Sequence, residues 1–427
     1  MLNMKVLVVG GGGREHALIK KIKESSKVDE IYCAPGNGGI SYDAICKDVA
    51  ATDIDAMVAL AKEIQPDLVV VAPDDPLVLG MVDALNENGF KTFGPKANAA
   101  IIEGSKVFSK NLMLKYNIPT AEYKVFDNAE NVLNYIKEKN SFPTVIKADG
   151  LALGKGVIIA ENLEQAEDGV KSIMEDKVFG ESGNNVVVEE FLTGPEVSVL
   201  AFTDGKCVKP MVSSMDHKRA LDNDKGLNTG GMGTISPNPY YTDDIAEKCM
   251  KEIFIPTIEA MNKEGRTFKG CLYFGLMITE KGPKVIEYNC RFGDPETQVV
   301  LPRLKTDIID IFEAINNETL EDLDIEWSNE ASACVIIASG GYPQAYKKGI
   351  EIFGLENGQT DGVTVYHAGT AVKDGKLVTS GGRVLGVTAL GKDLQEALNK
   401  SYKAVENITF DGAFYRHDIG QKALNIK

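Results

Sequence analysis

Val285-Ile286-Glu287-Tyr288-Asn289-Cys290-Arg291-Phe292-Gly293-Asp294-Pro295-Glu296-Thr297-Gln298 begins as a β-run and ends in a Gly-Asp-Pro-Glu turn. Side chains alternate along a strand, so Glu287, Asn289 and Arg291 project from one face and Cys290 from the other. Two hard oxygen ligands and a planar cation in one row suit Mg-nucleotide chemistry. The oxygens would hold the metal on the phosphates, and the guanidinium would stabilise charge developing on a transferred group. A solvated strand face is the bland alternative, and the polar alternation leading into the turn weighs against it. On this reading Asn289→Asp is an intermediate change, milder than Glu287→Gln or Arg291→Lys, because it keeps an oxygen at the same reach.

Upstream of this run, Cys271 to Thr279 and Pro283 to Asn289 read as adjacent strands, after a polar Gly-rich loop (Asp216 to Gly233) and a helix (Thr242 to Glu264). Earlier still come helices at Ser105 to Tyr116 and Ala129 to Lys139, then strands at Thr144 to Lys147 and Gly156 to Ala160. Parallel strands could not be joined so briefly, so these two form an antiparallel hairpin. With a helix near Leu163 to Met174 and a strand at Asn185 to Glu189, they make a small α+β unit resembling a lid.

The first hundred residues alternate strands (Lys5 to Val9, Glu30 to Cys33, Leu68 to Val71, Thr92 to Gly94) with helices (from Glu15, Ile54 to Ile64, Asp75 to Asn88), which implies a doubly wound parallel sheet. A helix at Thr306 to Asn316 closes the central part. After Trp327, short strands with Gly-rich turns and a helix at Leu394 to Val405 read as a separate α+β unit. The fold class is therefore α/β and α+β multidomain. The expected boundaries are 1–104, 105–325 with a lid at about 120–190, and 326–427.

With 46 Lys and Arg against 62 Asp and Glu, the formal charge is -16, which argues against nucleic acid or an anionic membrane as a partner. An anionic substrate must be held locally. No apolar run approaches the roughly 18 residues that span a bilayer, and Val6 to Val9 is too short for a signal-peptide core, so a cytoplasmic location is expected. Seven cysteines, an odd number without a C-x-x-C pair, support neither a zinc site nor a disulfide framework.

Val8-Val9-Gly10-Gly11-Gly12-Gly13-Arg14-Glu15-His16 is a strand, a glycine turn and a helix start, which offers backbone N–H groups and a positive helix end to a phosphate. A dinucleotide fingerprint needs Gly at its sixth position, where Glu15 or His16 stands, and an acidic ribose ligand where Pro35-Gly36-Asn37-Gly38-Gly39 follows instead. Two glycine loops at one sheet edge suit a phosphoribosyl group better than a dinucleotide, with plain tight turns as the alternative.

Lys147 and Lys155 stand at the two ends of the flexible loop in Ala148 to Gly156, which includes Gly154 and lacks Walker spacing. Closure over a triphosphate and a plain hairpin with solvated lysines are both open. Val186 to Leu192 could present backbone groups to an adenine edge, and Glu196 is either a ribose-hydroxyl acceptor or a surface charge.

Gly10 to Leu18 (GGGGREHAL), Pro35 to Gly39 (PGNGG), His217 to Arg219 (HKR), Asn228 to Gly233 (NTGGMG) and Arg291 to Gln298 (RFGDPETQ) together resemble the phosphoribosylamine–glycine ligase, or glycinamide ribonucleotide synthetase, family of the ATP-grasp superfamily. The resemblance covers the whole chain. It implies an N-terminal substrate domain, a central ATP-grasp unit with a mobile lid, and a small C-terminal domain. It also implies ligation of glycine to 5-phosphoribosylamine through glycyl phosphate, with ATP and Mg2+ (Mn2+ as a substitute), in a cytoplasmic and commonly monomeric enzyme of purine biosynthesis.

Carried over residue by residue, the resemblance implies that Lys106, Lys147, Gly154, Lys155 and Gly156 contact ATP phosphates, and that Glu189, Glu190, Phe191, Leu192 and Glu196 hold adenosine. Glu287 and Asn289 would bind the metal, with Arg291 steadying the acyl phosphate, Lys147 assisting, and Asp294 orienting the amine. Gly11, Gly12, Gly13, Asn37, Gly38 and Gly39 would receive the phosphoribosyl end. Asp216, His217, Lys218, Arg219, Asn228, Thr229 and Gly230 would line the site for the smaller substrate.

Two departures stand out. Tyr273 to Met277 carries no metal-binding carboxylate, and Asp74 stands where the family's Pro-Glu-x-Pro-Leu turn has Glu. Competing readings are another ATP-grasp ligase or carboxylase of purine metabolism, and a non-catalytic nucleotide-binding module. The substrate-side strings separate the first, and the intact Glu287, Asn289 and Arg291 row weighs against the second.

Overall fold

Runs of Val and Ile without polar alternation favour strands covered on both faces. The computed structural model, which describes residues 4–151, 156–355 and 362–426, places them in a five-stranded parallel sheet. Its order is Ile45–Cys46, Val28–Pro35, Met4–Gly10, Leu68–Val71, Thr92–Phe93. The first strand is central, and the order reverses beside it, so the glycine turn that follows opens at the switch point where such sheets bind ligands.

The single helix expected over Asp75 to Asn88 is instead two, Asp74–Leu79 and Met81–Glu87. Gly80 separates them with φ 94°, a left-handed turn that ends a helix and that glycine adopts without strain.

The lid is a four-stranded antiparallel sheet in the order Tyr123–Phe126, Val186–Glu190, Thr144–Ala148, Val157–Ala160. Helices Ala129–Lys139 and Leu163–Val170 cover it, and its apolar core, including Val132, Ile146, Ala160 and Val188, is its own. The helix expected to reach Met174 leaves α geometry at Val170 and continues as a π turn over Lys171–Glu175.

The central sheet is antiparallel, in the order Val208–Pro210, Glu196–Thr203, Gly270–Thr279, Gly282–Asn289. A further sheet runs Met215–Asp216, Gly233–Ser236, Ala331–Ala338, Arg383–Gly391, Val363–His367. Strands from both sides of the boundary drawn at 325/326 thus share one sheet, because the Gly-rich segment is not all loop. Its ends supply two strands to this sheet, and between them Arg219–Leu221 and Lys225–Asn228 form a hairpin.

The N-terminal and central units are joined by common cores. Leu7 and Val9 belong with Phe274, Val285 and Cys290, while Val8 and Phe93 belong with Phe292 and Phe312. The ring of Phe292 lies 5.9 Å from those of both Phe93 and Phe202. Truncating it opens a cavity between two units. Phe292→Ala is therefore expected to lower stability by about 3–5 kcal/mol, measured by urea unfolding, with the two units losing structure in one transition.

Candidate active site

Gly282–Asn289 presents Glu287, Asn289 and then Arg291 on the partly open face, while Tyr288 and Cys290 are buried on the other, as strand alternation requires. Gly275 lies opposite Glu287 in the neighbouring strand, and a Cβ there would come within 2.9 Å of Glu287 Cγ. The small residue leaves Glu287 room to lie across the sheet, at a point where a facing side chain would crowd it.

Glu287 Oε1 accepts from Lys218 Nζ at 3.3 Å, and the same ammonium lies 3.6 Å from Glu196 Oε2. Lys218 is the main influence holding the Glu287 carboxyl down at about 2, against burial and with help from Lys147. Glu287 is thus an anion throughout the physiological range. Arg291 Nη2 reaches Glu103 Oε1 at 3.0 Å and Asp74 Oδ2 at 3.5 Å. Its buried Nε has no hydrogen-bond partner among the described residues, leaving a donor for an anion. Asn289, oriented to satisfy its neighbours, donates from Nδ2 to Glu103 Oε1 at 2.9 Å.

Between lid and body, Lys147 Nζ lies 3.0 Å from Glu189 Oε1 and donates to the Ile286 carbonyl at 3.1 Å. Lys106 Nζ donates to the Gly150 carbonyl at 2.7 Å, at the base of the loop between the hairpin strands. Gly156 closes that hairpin by accepting from the Ala148 N–H, while Gly154 and Lys155 lie outside the described residues. Lys110, absent from the sequence reading, reaches Glu189 Oε2 at 3.0 Å and Thr120 Oγ1 at 2.8 Å. Burial brings its ammonium down to about 8. It stands one helical turn after Lys106, and that i, i+4 spacing was its signal. Glu190 is exposed and tied to Lys284, Phe191 is exposed, and Leu192 is half-buried.

On the substrate side, Gly11 and Gly36 touch backbone to backbone, since a Cβ on Gly11 would lie 2.4 Å from the Gly36 carbonyl oxygen. Asn37 braces the loops. Its Nδ2 donates to the carbonyls of Gly11 and His367, and its Oδ1 accepts from the N–H groups of Gly39 and Ile40. The Gly12 N–H is taken by Glu15 and the Gly38 N–H by the Thr370 carbonyl. The expected ligand Asn37 therefore has its amide committed to protein. Asp294 faces this loop, with Oδ1 accepting from Gln298 at 2.8 Å and Oδ2 3.4 Å from Arg383. Burial raises its carboxyl, but Arg383 and Arg14 outweigh burial and leave it below its ordinary value.

His217 is also braced. Nδ1 lies 3.1 Å from the Gly233 carbonyl and Nε2 accepts from the Gly420 N–H, so the proton sits on Nδ1 and neither nitrogen is left for a ligand. Asp216 Oδ1 accepts from the His217 N–H, and burial followed by nearby Glu296 pushes its carboxyl well up. Arg219 donates to Gly226 within its own hairpin, which it opens opposite Asn228. Thr229 folds back on the Lys218 carbonyl, and Gly230 is clasped by Arg383 and the Tyr342 hydroxyl. Arg383 had no sequence signal, because it enters the site from a distant strand.

The chain matches the phosphoribosylglycinamide synthetase N domain over 4–103, its ATP-grasp (A) domain over 104–297 and its C domain over 332–422. A phosphoribosylamine–glycine ligase of Caldanaerobacter subterraneus subsp. tengcongensis is 49% identical over 416 residues, covering 97% of this chain and 99% of that protein. The chain belongs to the phosphoribosylglycinamide synthetase family.

Another synthetase relative, the phosphoribosylamine–glycine ligase of Haemophilus influenzae, is 48% identical over 424 residues, covering 99% of each chain. The crystal structure of the Thermotoga maritima ligase superposes with TM-score 0.84 at 35% identity, covering 97% of this chain and 99% of that one. The biotin carboxylase domain of the Hydrogenobacter thermophilus 2-oxoglutarate carboxylase has TM-score 0.73 at 17% identity, covering 97% of this chain and 92% of that one, a likeness of fold. No helix among the described residues of this synthetase is long and apolar enough to cross a membrane.

In the synthetase, burial lowers the His217 imidazole to about 4, with Arg416 adding to it. The unfolded residue titrates near 6.5. Between these values the unfolded state binds the extra proton, so stability is complete above about pH 6.5 and is lost as pH falls toward 4. His16 and His367 are lowered by burial as well, which adds to the slope. Thermal unfolding should move to lower temperature between pH 7 and pH 5. His217→Gln should flatten part of that dependence while destabilising at pH 7 by about 1–3 kcal/mol.

Proposed function

We propose that the chain joins glycine to 5-phosphoribosylamine at the expense of ATP, giving glycinamide ribonucleotide, ADP and phosphate. The observation that carries this reading is the continuous run from Glu287 to Asp294. It begins beside Lys147, which donates to the Ile286 carbonyl, and ends where a Cβ on Gly12 would lie 3.5 Å from Asp294 Oδ2. On this reading one peptide segment would link the phosphoryl-transfer end to the sugar-phosphate end.

A carboxylate resists amines because oxide is a poor leaving group. A glycine carboxylate oxygen attacks the γ-phosphorus of ATP, the bridging P–O bond breaks, and ADP leaves. The amine of phosphoribosylamine then attacks the acyl carbon of glycyl phosphate, the C–O bond to phosphate breaks, and the amine proton is lost. Lys106 and Lys147 would neutralise ATP phosphates, Glu189 to Leu192 with Glu196 would hold adenosine, and the Arg291 fork would meet the transferred phosphoryl oxygens. Asp294, an anion at neutral pH and aimed at the glycine loop, would orient the amine. The loops at Gly11 to Gly13 and Asn37 to Gly39 would receive the phosphoribosyl end, shaped for it by the bonds that hold the N–H groups of Gly12, Gly38 and Gly39. Asp216 to Arg219 and Asn228 to Gly230 would shape the glycine side, with His217 as a brace.

Glu287 and Asn289 fit a magnesium ion, with Mn2+ as a substitute. They are hard oxygen donors, and Glu287 stays ionised. Magnesium is usually bound through one or two carboxylates plus phosphates and water, so these two side chains would complete its shell together with the nucleotide. When bound, the ion would draw charge from the phosphates during transfer. A cytosolic monomer is the state the resemblance supports.

ADP release should require glycine and phosphoribosylamine together, and bicarbonate should not replace glycine. Turnover with bicarbonate alone would move the chain to the carboxylases that share its fold. Folded Glu287→Gln and Arg291→Lys should each lose at least about 100-fold in kcat, the scale of removing a charge-stabilising group. Circular dichroism checks the fold. A Glu287→Gln enzyme with normal turnover at low Mg2+ would remove the metal assignment.

A further inference from the structure

Glu103 lies in the last turn of Ala97–Gly104, the helix leading out of the N-terminal unit, and its side chain is 7% exposed. Nothing in the sequence singled it out. Its carboxylate nevertheless accepts from the Cys290 N–H at 2.7 Å and from Arg291 Nη2 at 3.0 Å, and, with the Asn289 amide turned to satisfy both of its ends, from Asn289 Nδ2 at 2.9 Å.

Arg291 alone would neutralise Glu103. The other two bonds set direction. Both Glu103 oxygens already receive donors, Oε1 from Arg291 and Oε2 from the Cys290 N–H, so the Asn289 amide is satisfied at both ends only with nitrogen toward Glu103 and Oδ1 turned away toward neighbouring donors. Reversed, the amide would set oxygen against oxygen. The Cys290 N–H bond fixes the peptide between Asn289 and Arg291, so the oxygen of one and the fork of the other are aimed together.

We infer that Glu103 is a positioning residue for the ligase reaction, aiming Asn289 Oδ1 at the metal and holding the Arg291 fork in register with it. The inference rests on the metal reading of Glu287 and Asn289 given above. It also reverses one expectation from the sequence. Asn289→Asp keeps an oxygen at the right reach, yet it sets a second carboxylate 2.9 Å from Glu103, so it is a damaging change.

The test uses full-length protein, with Mn2+ binding in the presence of ADP read by electron paramagnetic resonance, alongside kcat and the KM for glycine. Glu103→Gln should weaken Mn2+ binding by about 10- to 100-fold, the usual effect of losing a residue that orients a metal ligand. It should lower kcat with little change in the KM for glycine. Glu103→Asp, which keeps the charge on a shorter arm, should fall between.

The decisive arm is the exchange Glu103→Gln with Asn289→Asp. It restores one amide and one carboxylate in swapped places, and should bind Mn2+ about tenfold better than either single variant. Wild-type Mn2+ binding by Glu103→Gln, or a double variant no better than the singles, overturns the inference. If Glu103→Gln does not fold, unchanged Mn2+ binding by Glu103→Asp overturns it equally. Glu287→Gln separates the two levels. If it too leaves Mn2+ binding intact, the metal reading itself fails, whereas weakened binding there with normal binding in Glu103→Gln removes only the positioning role.

Discussion

A largely buried guanidinium needs a counter-charge, and at Arg291 that counter-charge comes from another unit of the chain. Removing one partner from such a pair leaves the other uncompensated, which costs several kcal/mol, about 3–5 in typical cases. Arg291 is held by Asp74 and Glu103, both from the N-terminal unit, while the strand that carries it belongs to the central sheet. Docking of the two units and placement of the segment that follows Gly282–Asn289 therefore rest on the same ion pairs. Asp74 lies 3.5 Å from the guanidinium, and Glu103 at 3.0 Å makes the tighter contact.

The same logic recurs at the lid. Glu189, on a lid strand, is buried between Lys147 of a neighbouring lid strand and Lys110 of the body, and Lys110 continues through Thr120 to the Val285 carbonyl at the start of the reactive run. The lid has its own apolar core, so this polar chain is a direct connection between its Lys147 and Glu189 edge and the strand bearing Glu287.

The glycine loops show how polar capacity is divided. Asn37 commits its amide to carbonyls of Gly11 and His367, and His16 Nδ1 accepts from the His367 N–H while Nε2 donates to Asp43 at 3.1 Å. Side chains in GGGGREHAL and PGNGG thus fasten the loops to each other and to the C-terminal unit. Arg383 does the same on the other side, gripping Gly230 and Asp294 from the C-terminal sheet.

Local order was legible because it depends on local rules. Hydrophobic period separated Ile54–Ile64, Leu68–Val71, Ala129–Lys139 and Leu394–Val405 at the residues where the elements lie, and strand alternation put Glu287, Asn289 and Arg291 on one face with Cys290 on the other. Brevity of the connection made the lid hairpin antiparallel. The break at Gly80 and the sharing of one sheet by Gly233–Ser236 and Ala331–Ala338 were not legible, since each depends on what packs nearby. Glu103 and Arg383 were invisible for the same reason. The sequence by itself determined the elements, the reactive row and the family strings, because residue type and spacing suffice for those. Only the tertiary structure decided which charges meet, because the charged partners of Arg291, Asn289 and Asp294 lie about 90 to 220 positions away along the chain, and a buried charge is satisfied by distance in space.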